Sequence, residues 1–258
     1  MRRILFFCVI LALLLSTPFT AIPSAAVGEY CWFCERSGQK QPRISQEEKL
    51  INKYNAYNID RSVSDTSDNR VIYLTFDVGY ENGNTAKILD VLREEDVKAA
   101  FFILDNVIYR NKDLLMRMVE EGHSVCNHTL NHKNICRMTS NDAKANVLSL
   151  EKLYNQQTGL EMSKYFRFPE GKYSEEALKA VNELGYKTFF WSFAYADWDN
   201  SSQPNTEYAY KKVIDNTHNG AIMLFHPTSS TNVQIFPRLI SEWKAMGYTF
   251  GTLDQVGL

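Results

Sequence analysis

From Val71 onward, short apolar runs alternate with segments of helical period, and this alternation constrains the fold more than any other feature of the chain. The runs are VIYLTF, KAAFFIL, HSVCN, YFRF, KTFFWSF, AIMLF and YTFGTL, each of strand length and most rich in β-branched or aromatic residues. Between them lie TAKILDVLREE, KDLLMRMVEEG, NDAKANVLSLEKLYNQQTG, SEEALKAVNELG, YAYKKVIDNTHNG and FPRLISEWKAMG, several of which close on Gly as helices often do. Repeated strand and helix imply crossovers and therefore a parallel sheet. A chain of 258 residues, 45% of them hydrophobic, can bury one substantial core. The expected class is α/β, a distorted (β/α) barrel of about seven parallel strands. An open doubly wound sheet shares the alternation and is the other candidate.

The first 70 residues read differently. Residues 1–26 begin Met1-Arg2-Arg3, run through an apolar block from Ile4 to Leu15 and reach the small residues Ser24-Ala25-Ala26, the pattern of a cleaved secretory signal. A membrane anchor is the competing reading, but the block falls short of the roughly 20 residues that span a bilayer. Residues 27–70 are polar and turn-rich and predict an N-terminal arm, with one amphipathic stretch from Glu47 to Tyr57; residues 71–258, which carry the strand–helix alternation, are expected to form one domain. Loss of Arg2 and Arg3 moves the formal charge from −2 to −4, with no basic stripe of the kind nucleic-acid binding needs. Cys31 and Cys34 form a C-x-x-C that is a local disulfide, a pair of thiols, a redox motif or half of a zinc site. Cys126 reads as a core residue.

Chemistry-bearing residues fall at the ends of the expected strands. Asp77 ends the first, Asn127 and His128 the third, Arg167 the fourth, while Asp197 follows the fifth and His226 the sixth. In a parallel barrel those ends share one face, where active sites are built. His128 and His132 stand four apart, so one helical turn would aim both imidazoles at a common divalent metal; two surface histidines have the same spacing. Asp77 suits a general base, a metal ligand or a strand cap. Arg167 suits a carboxylate clamp or an ion pair. Asp197 beside His226 would keep that imidazole protonated and oriented.

Taken in order, the motifs TFDVG, HTLNH, RFPEG, ADW and LFH resemble those of the polysaccharide deacetylases with a NodB homology domain, carbohydrate esterase family four. The resemblance spans about Val71 to Leu253. TFDVGYENG, WSFAYADW and the arm CWFCERSGQKQP are most similar to the family's muramic acid de-N-acetylases, which help make muramic δ-lactam in the spore cortex. It implies a distorted (β/α) barrel hydrolase that removes an N-acetyl group from peptidoglycan glycan strands with a divalent metal, commonly zinc; the signal segment adds secretion, and a monomer is expected. By resemblance Asp77 is the base, Arg167 holds it, His128 and His132 bind the metal, and His226 is the acid with Asp197 sustaining its charge. Gly79, Tyr80, Pro169 and Trp198 are expected around the substrate, with the Tyr80 amide toward the oxyanion.

Two positions depart from that pattern. Val78 stands where most of the family has a second aspartate that ligates the metal, so looser metal binding is expected. Glu170 stands inside RFPEG where near relatives often carry a basic residue, which leaves N-acetylglucosamine of peptidoglycan or chitin as a second substrate. A glycan-binding protein with weakened catalysis is the reading from another class, and an acetyl-xylan esterase of the same fold is a third.

Overall fold

The computed structural model describes residues 28–257, so the signal segment lies outside the described residues. Among the described residues ten strands occur in chain order: β1 (Tyr30–Cys31), β2 (Ala56–Tyr57), β3 (Arg70–Val78), β4 (Ala100–Ile103), β5 (Ser124–Asn127), β6 (Tyr165–Phe166), β7 (Lys172–Tyr173), β8 (Lys187–Phe189), β9 (Ala221–Phe225) and β10 (Tyr248–Phe250). Each of the seven expected apolar runs supplies one strand of a parallel sheet, ordered β10-β3-β4-β5-β6-β8-β2 with β9 on the other side of β3. The eighth strand, β2, comes from the arm and pairs in parallel with β8.

The barrel closes through an irregular joint. Beyond β8 the chain bends, and Ser192 N–H donates to Ile222 O at 2.9 Å while Leu224 N–H donates to Phe193 O at 2.9 Å, joining this segment to β9. β2 occupies the edge of β8 that a regular barrel would give to β9.

β3 shows why the sheet is buried on both faces, as a helix-covered parallel sheet must be. Ile72, Leu74, Phe76 and Val78 face the helix layer, packed with Ile88, Leu89, Phe236 and Leu239. Val71 and Tyr73 face the interior with Ala100, Phe102, Phe189 and Ile222. This two-residue period puts Asp77 on the interior face and Val78 among the helices. The helices start and stop where local chemistry dictates: Thr139 caps Ser140–Thr158 through Asp142 N–H, and Gly159 ends it at φ 74°.

The arm is woven into the domain. Its helix Gln46–Asn52 precedes β2, and β1 pairs antiparallel with β7, next to the RFPEG turn. Trp32 is buried there: its N–H donates to Gly171 O at 2.8 Å, its Nε1 to Trp191 O at 2.9 Å, and its ring stacks on Phe190. No helix among the described residues is long and apolar enough to cross a membrane.

Candidate active site

A cleft of about 1160 Å³ opens at the C-terminal ends of the strands, and Asp77, Gly79, Tyr80, His128, His132, Trp198 and His226 all line it. The face predicted from the strand ends is therefore one surface. Arg167 and Asp197 stand behind it, each fully buried.

Asp77 is held from the interior. Arg167 Nη1 donates to its Oδ1 at 2.9 Å, while Nε and Nη2 donate to the carbonyls of Phe189 and Phe190 at 2.8 and 3.2 Å. The guanidinium lies 4.1 Å from the Phe102 ring centroid, so its place is fixed on all sides. Its donors are committed to Asp77 and the backbone, which makes it a positioning group for the base and closes it to substrate. Burial raises the Asp77 pKa, but the charges of His128, Arg167 and His226 more than offset this and hold the carboxyl below its ordinary value.

His226 has the complementary support. Asp197 Oδ1 lies 2.8 Å from its Nδ1, and Asp197 Oδ2 accepts from the His226 backbone N–H at 2.8 Å. The Nδ1 proton is thereby directed to Asp197, leaving Nε2 for the cleft. Asn232 completes the arrangement, donating to Asp197 Oδ2 at 2.7 Å and accepting from the Tyr195 hydroxyl. Burial lowers the His226 pKa, yet the adjacent Asp197 carboxylate outweighs it and leaves the imidazole above its ordinary value. Asn232 was not legible in the sequence; it is the third residue of the helix Ser230–Ala245 and is fully buried.

His128 and His132 do meet, with ring centroids 5.0 Å apart, but not on a helix. Residues 128–134 are a loop in which Thr129 and His132 have φ of 71° and 58°. Asn127 Oδ1 accepts from Thr129 N–H and Asn146 Oδ1 from Leu130 N–H, and these bonds shape the turn that helical pairing would have shaped. His128 Nδ1 faces Arg167 O at 2.9 Å, which orients Nε2 outward, and burial pushes its pKa down to about 4. A neutral imidazole with a free Nε2 lone pair is a ligand form.

The metal question turns on Val78. Its side chain is buried in the helix-facing core and offers no donor. Among the described residues no group of three or more His, Cys, Asp or Glu is gathered to hold a metal ion. Asp77 Oδ2 lies 3.5 Å from His128 Nε2, a separation two ligands of one cation can have. The residues thus fit a divalent cation as a two-histidine site, with Asp77, water or substrate left to complete it.

The remaining expectations divide. Tyr80 and Trp198 are exposed aromatics on the cleft, and Gly79 lies against Leu104, where a Cβ would come within 2.8 Å of Cδ1. Pro169 is buried, and its neighbour Glu170 reaches the cleft instead. Cys31, Cys34, Cys126 and Cys136 are all free thiols, so no disulfide joins the C-x-x-C pair; Cys126 is buried as expected of a core residue. Sequence reading missed Trp32, Phe33 and Arg36, which the arm brings to the cleft wall, and the aromatic wall of Trp191, Phe193 and Tyr195.

A barrel-end cleft with a buried-arginine carboxylate, a carboxylate-held imidazole and a histidine pair defines a class, and the chain belongs to the polysaccharide deacetylase family, hydrolases that cleave carbon–nitrogen amide bonds. The family model described as polysaccharide deacetylase matches residues 64–189. The chain is 36% identical to the peptidoglycan-N-acetylmuramic acid deacetylase PdaA of Bacillus subtilis, over 92% of this chain and 88% of that one. The solved structure of Bacillus subtilis PdaA, a family 4 carbohydrate esterase, superposes with a TM-score of 0.83 at 35% identity, covering 88% and 96% of the two chains. A family 4 carbohydrate esterase from Bacillus anthracis gives 0.72 at 32% identity, covering 88% and 95%.

Proposed function

We propose that this chain is an exported, metal-assisted de-N-acetylase of N-acetylmuramic acid in peptidoglycan, with muramic δ-lactam formation in the spore cortex as its setting. The observation that carries the chemistry is that Asp77 and His226, each gripped by a buried partner of opposite charge, open onto one cleft. The similarity to a named muramic acid deacetylase supports the substrate. The domain boundaries follow: residues 1–26 leave with export, residues 27–70 supply a wall of the cleft, and residues 71–258 hold the catalytic groups.

In this reading Asp77 accepts a proton as water attacks the acetyl carbonyl carbon. His226 Nε2 then gives a proton to the sugar nitrogen as the carbon–nitrogen bond breaks, releasing acetate and a free amine. A divalent cation at His128 and His132 would supply Lewis-acid polarisation of the carbonyl and a lower water pKa. In this reading the backbone amides of Gly79 and Tyr80, in the loop after β3, meet the developing oxyanion. The missing anionic ligand at Val78 makes the cation weakly held.

Val78 also favours a second reading, a wall-binding member with weakened catalysis. Incubating the purified chain with glycan strands stripped of stem peptides, with and without zinc, separates the two. Acetate and deacetylated muramic acid by mass spectrometry support the first. Glycan binding with no acetate under any divalent metal would leave the second, and acetate from glucosamine residues alone would move the substrate to N-acetylglucosamine.

A further inference from the structure

The charges on the cleft wall do not balance, and the imbalance lies on the arm. Two acids line the cleft and each already has a cation: Asp77 is bound by Arg167, and Glu170 lies 2.5 Å from Lys172. Among the described residues Arg36 is the one Lys or Arg on that wall, and it makes no ion pair there. Its side chain is nevertheless placed. Nη2 donates to Ala194 O at 3.0 Å, and the guanidinium stands 5.9 Å from the Phe193 ring centroid. Trp32, buried between Gly171 and Trp191, nails the arm four residues upstream.

An arginine fixed by one nitrogen on an aromatic wall keeps the rest of its fork for a planar anion. We propose that Arg36 forms a carboxylate-binding subsite of this cleft, and that the group it takes is the lactyl carboxylate of muramic acid. The assignment rests on the proposed deacetylation of peptidoglycan amino sugars. Of the two sugars in that polymer, muramic acid alone carries a carboxyl-bearing ether beside the N-acetyl carbon. With Arg167 committed to Asp77 and Glu170 acidic, no other arginine or lysine on the wall can answer that charge. Exposed Phe33, on the same arm, offers a face to the neighbouring sugar ring.

The test compares kcat/KM of the wild type, Arg36→Gln and Arg36→Lys on two substrates: glycan strands with free lactyl carboxylates, and the same strands with those carboxylates converted to methylamides. Arg36→Gln should lower kcat/KM on the free carboxylate by about 10–100-fold, the loss of a charge-assisted hydrogen-bond pair. On the methylamide it should match the wild type, and Arg36→Lys should fall between on the carboxylate. Equal losses on both substrates, or no loss on either, would overturn the assignment while muramic acid turnover stands. A wild type that releases acetate from glucosamine residues alone would overturn the substrate reading and this assignment together.

Discussion

Arg167 Nη1 lies 2.9 Å from Asp77 Oδ1, and this single bond joins a fully buried guanidinium to a carboxylate at the cleft floor. The remaining guanidinium nitrogens hold the carbonyls of Phe189, at the end of β8, and Phe190, just after it, so the pair ties the β3 end to the β8 end. Removing the cation would leave Asp77 buried without its counter-charge. Arg167→Met should therefore destabilise the protein by about 3–5 kcal/mol, the usual effect of orphaning a buried charge. Asp77→Asn removes the base and should lower acetate release by about 10²–10⁴-fold; it also leaves the buried Arg167 without its counter-charge, so its melting temperature should fall as well. Urea titration and an acetate assay on the two variants check both statements.

The His226–Asp197 pair makes a pH prediction whose sign is fixed by the direction of the shift. His226 must be protonated to donate, and its pKa is raised because Asp197 outweighs burial. Activity should therefore persist above the ordinary imidazole range and fall as pH rises through the raised value. Asp197→Asn removes the raising charge and leaves burial, so the alkaline limb should move to lower pH, with the loss greatest on the alkaline side. Stability follows the same linkage: the contribution of the charged pair is present in full below the unfolded histidine pKa of about 6.5 and is lost as pH rises through the folded value. Rate and melting profiles between pH 5 and pH 10, in wild type and variant, test it.

The sequence was most legible where period and length agreed. β3, β9 and the long helices followed their apolar patterns, and the polar residues at strand ends did gather on one face. β2 was invisible because two residues show no period, and its pairing with β8 spans more than 130 positions, Ala56 to Thr188. The histidine pair was right in proximity and wrong in local structure, since bonds from Asn127 and Asn146 favour a positive-φ loop over a helical turn. Arg36 and Trp32 were unreadable for a third reason. Their roles depend on where a polar arm docks, and no local pattern encodes that.

Val78→Asp separates folding from metal binding at one position. Val78 packs in the helix-facing core, so a carboxylate there should destabilise the metal-free protein, by about 2–4 kcal/mol given ordinary penalties for burying polar or charged groups. With zinc the order should reverse in part, because a carboxylate drawn out of that core at the end of β3 would turn to join His128 and His132. The variant should show a larger zinc-induced rise in melting temperature than wild type, and a lower zinc dissociation constant against a chromophoric chelator. A variant that is destabilised but gains nothing from zinc would mean that the side chain at 78 stays in the helix-facing core.

Gly171 tests the link between the arm and the cleft without touching a catalytic group. It sits at φ 65°, and an added Cβ would lie 2.8 Å from Trp191 Cη2 and 3.2 Å from Trp32 Cβ. Both tryptophans line the cleft, and Trp32 N–H bonds to Gly171 O, so the turn and the arm are packed as one unit. Gly171→Ala should cost about 1–3 kcal/mol, from the left-handed backbone together with the displaced rings. If the arm is displaced with Trp32, Trp32 fluorescence should report greater solvent exposure and KM should rise more than kcat falls, because Asp77 and His226 are anchored from other elements. A fall in kcat alone, with fluorescence unchanged, would show that the turn supports the catalytic groups and that the arm does not help bind the glycan.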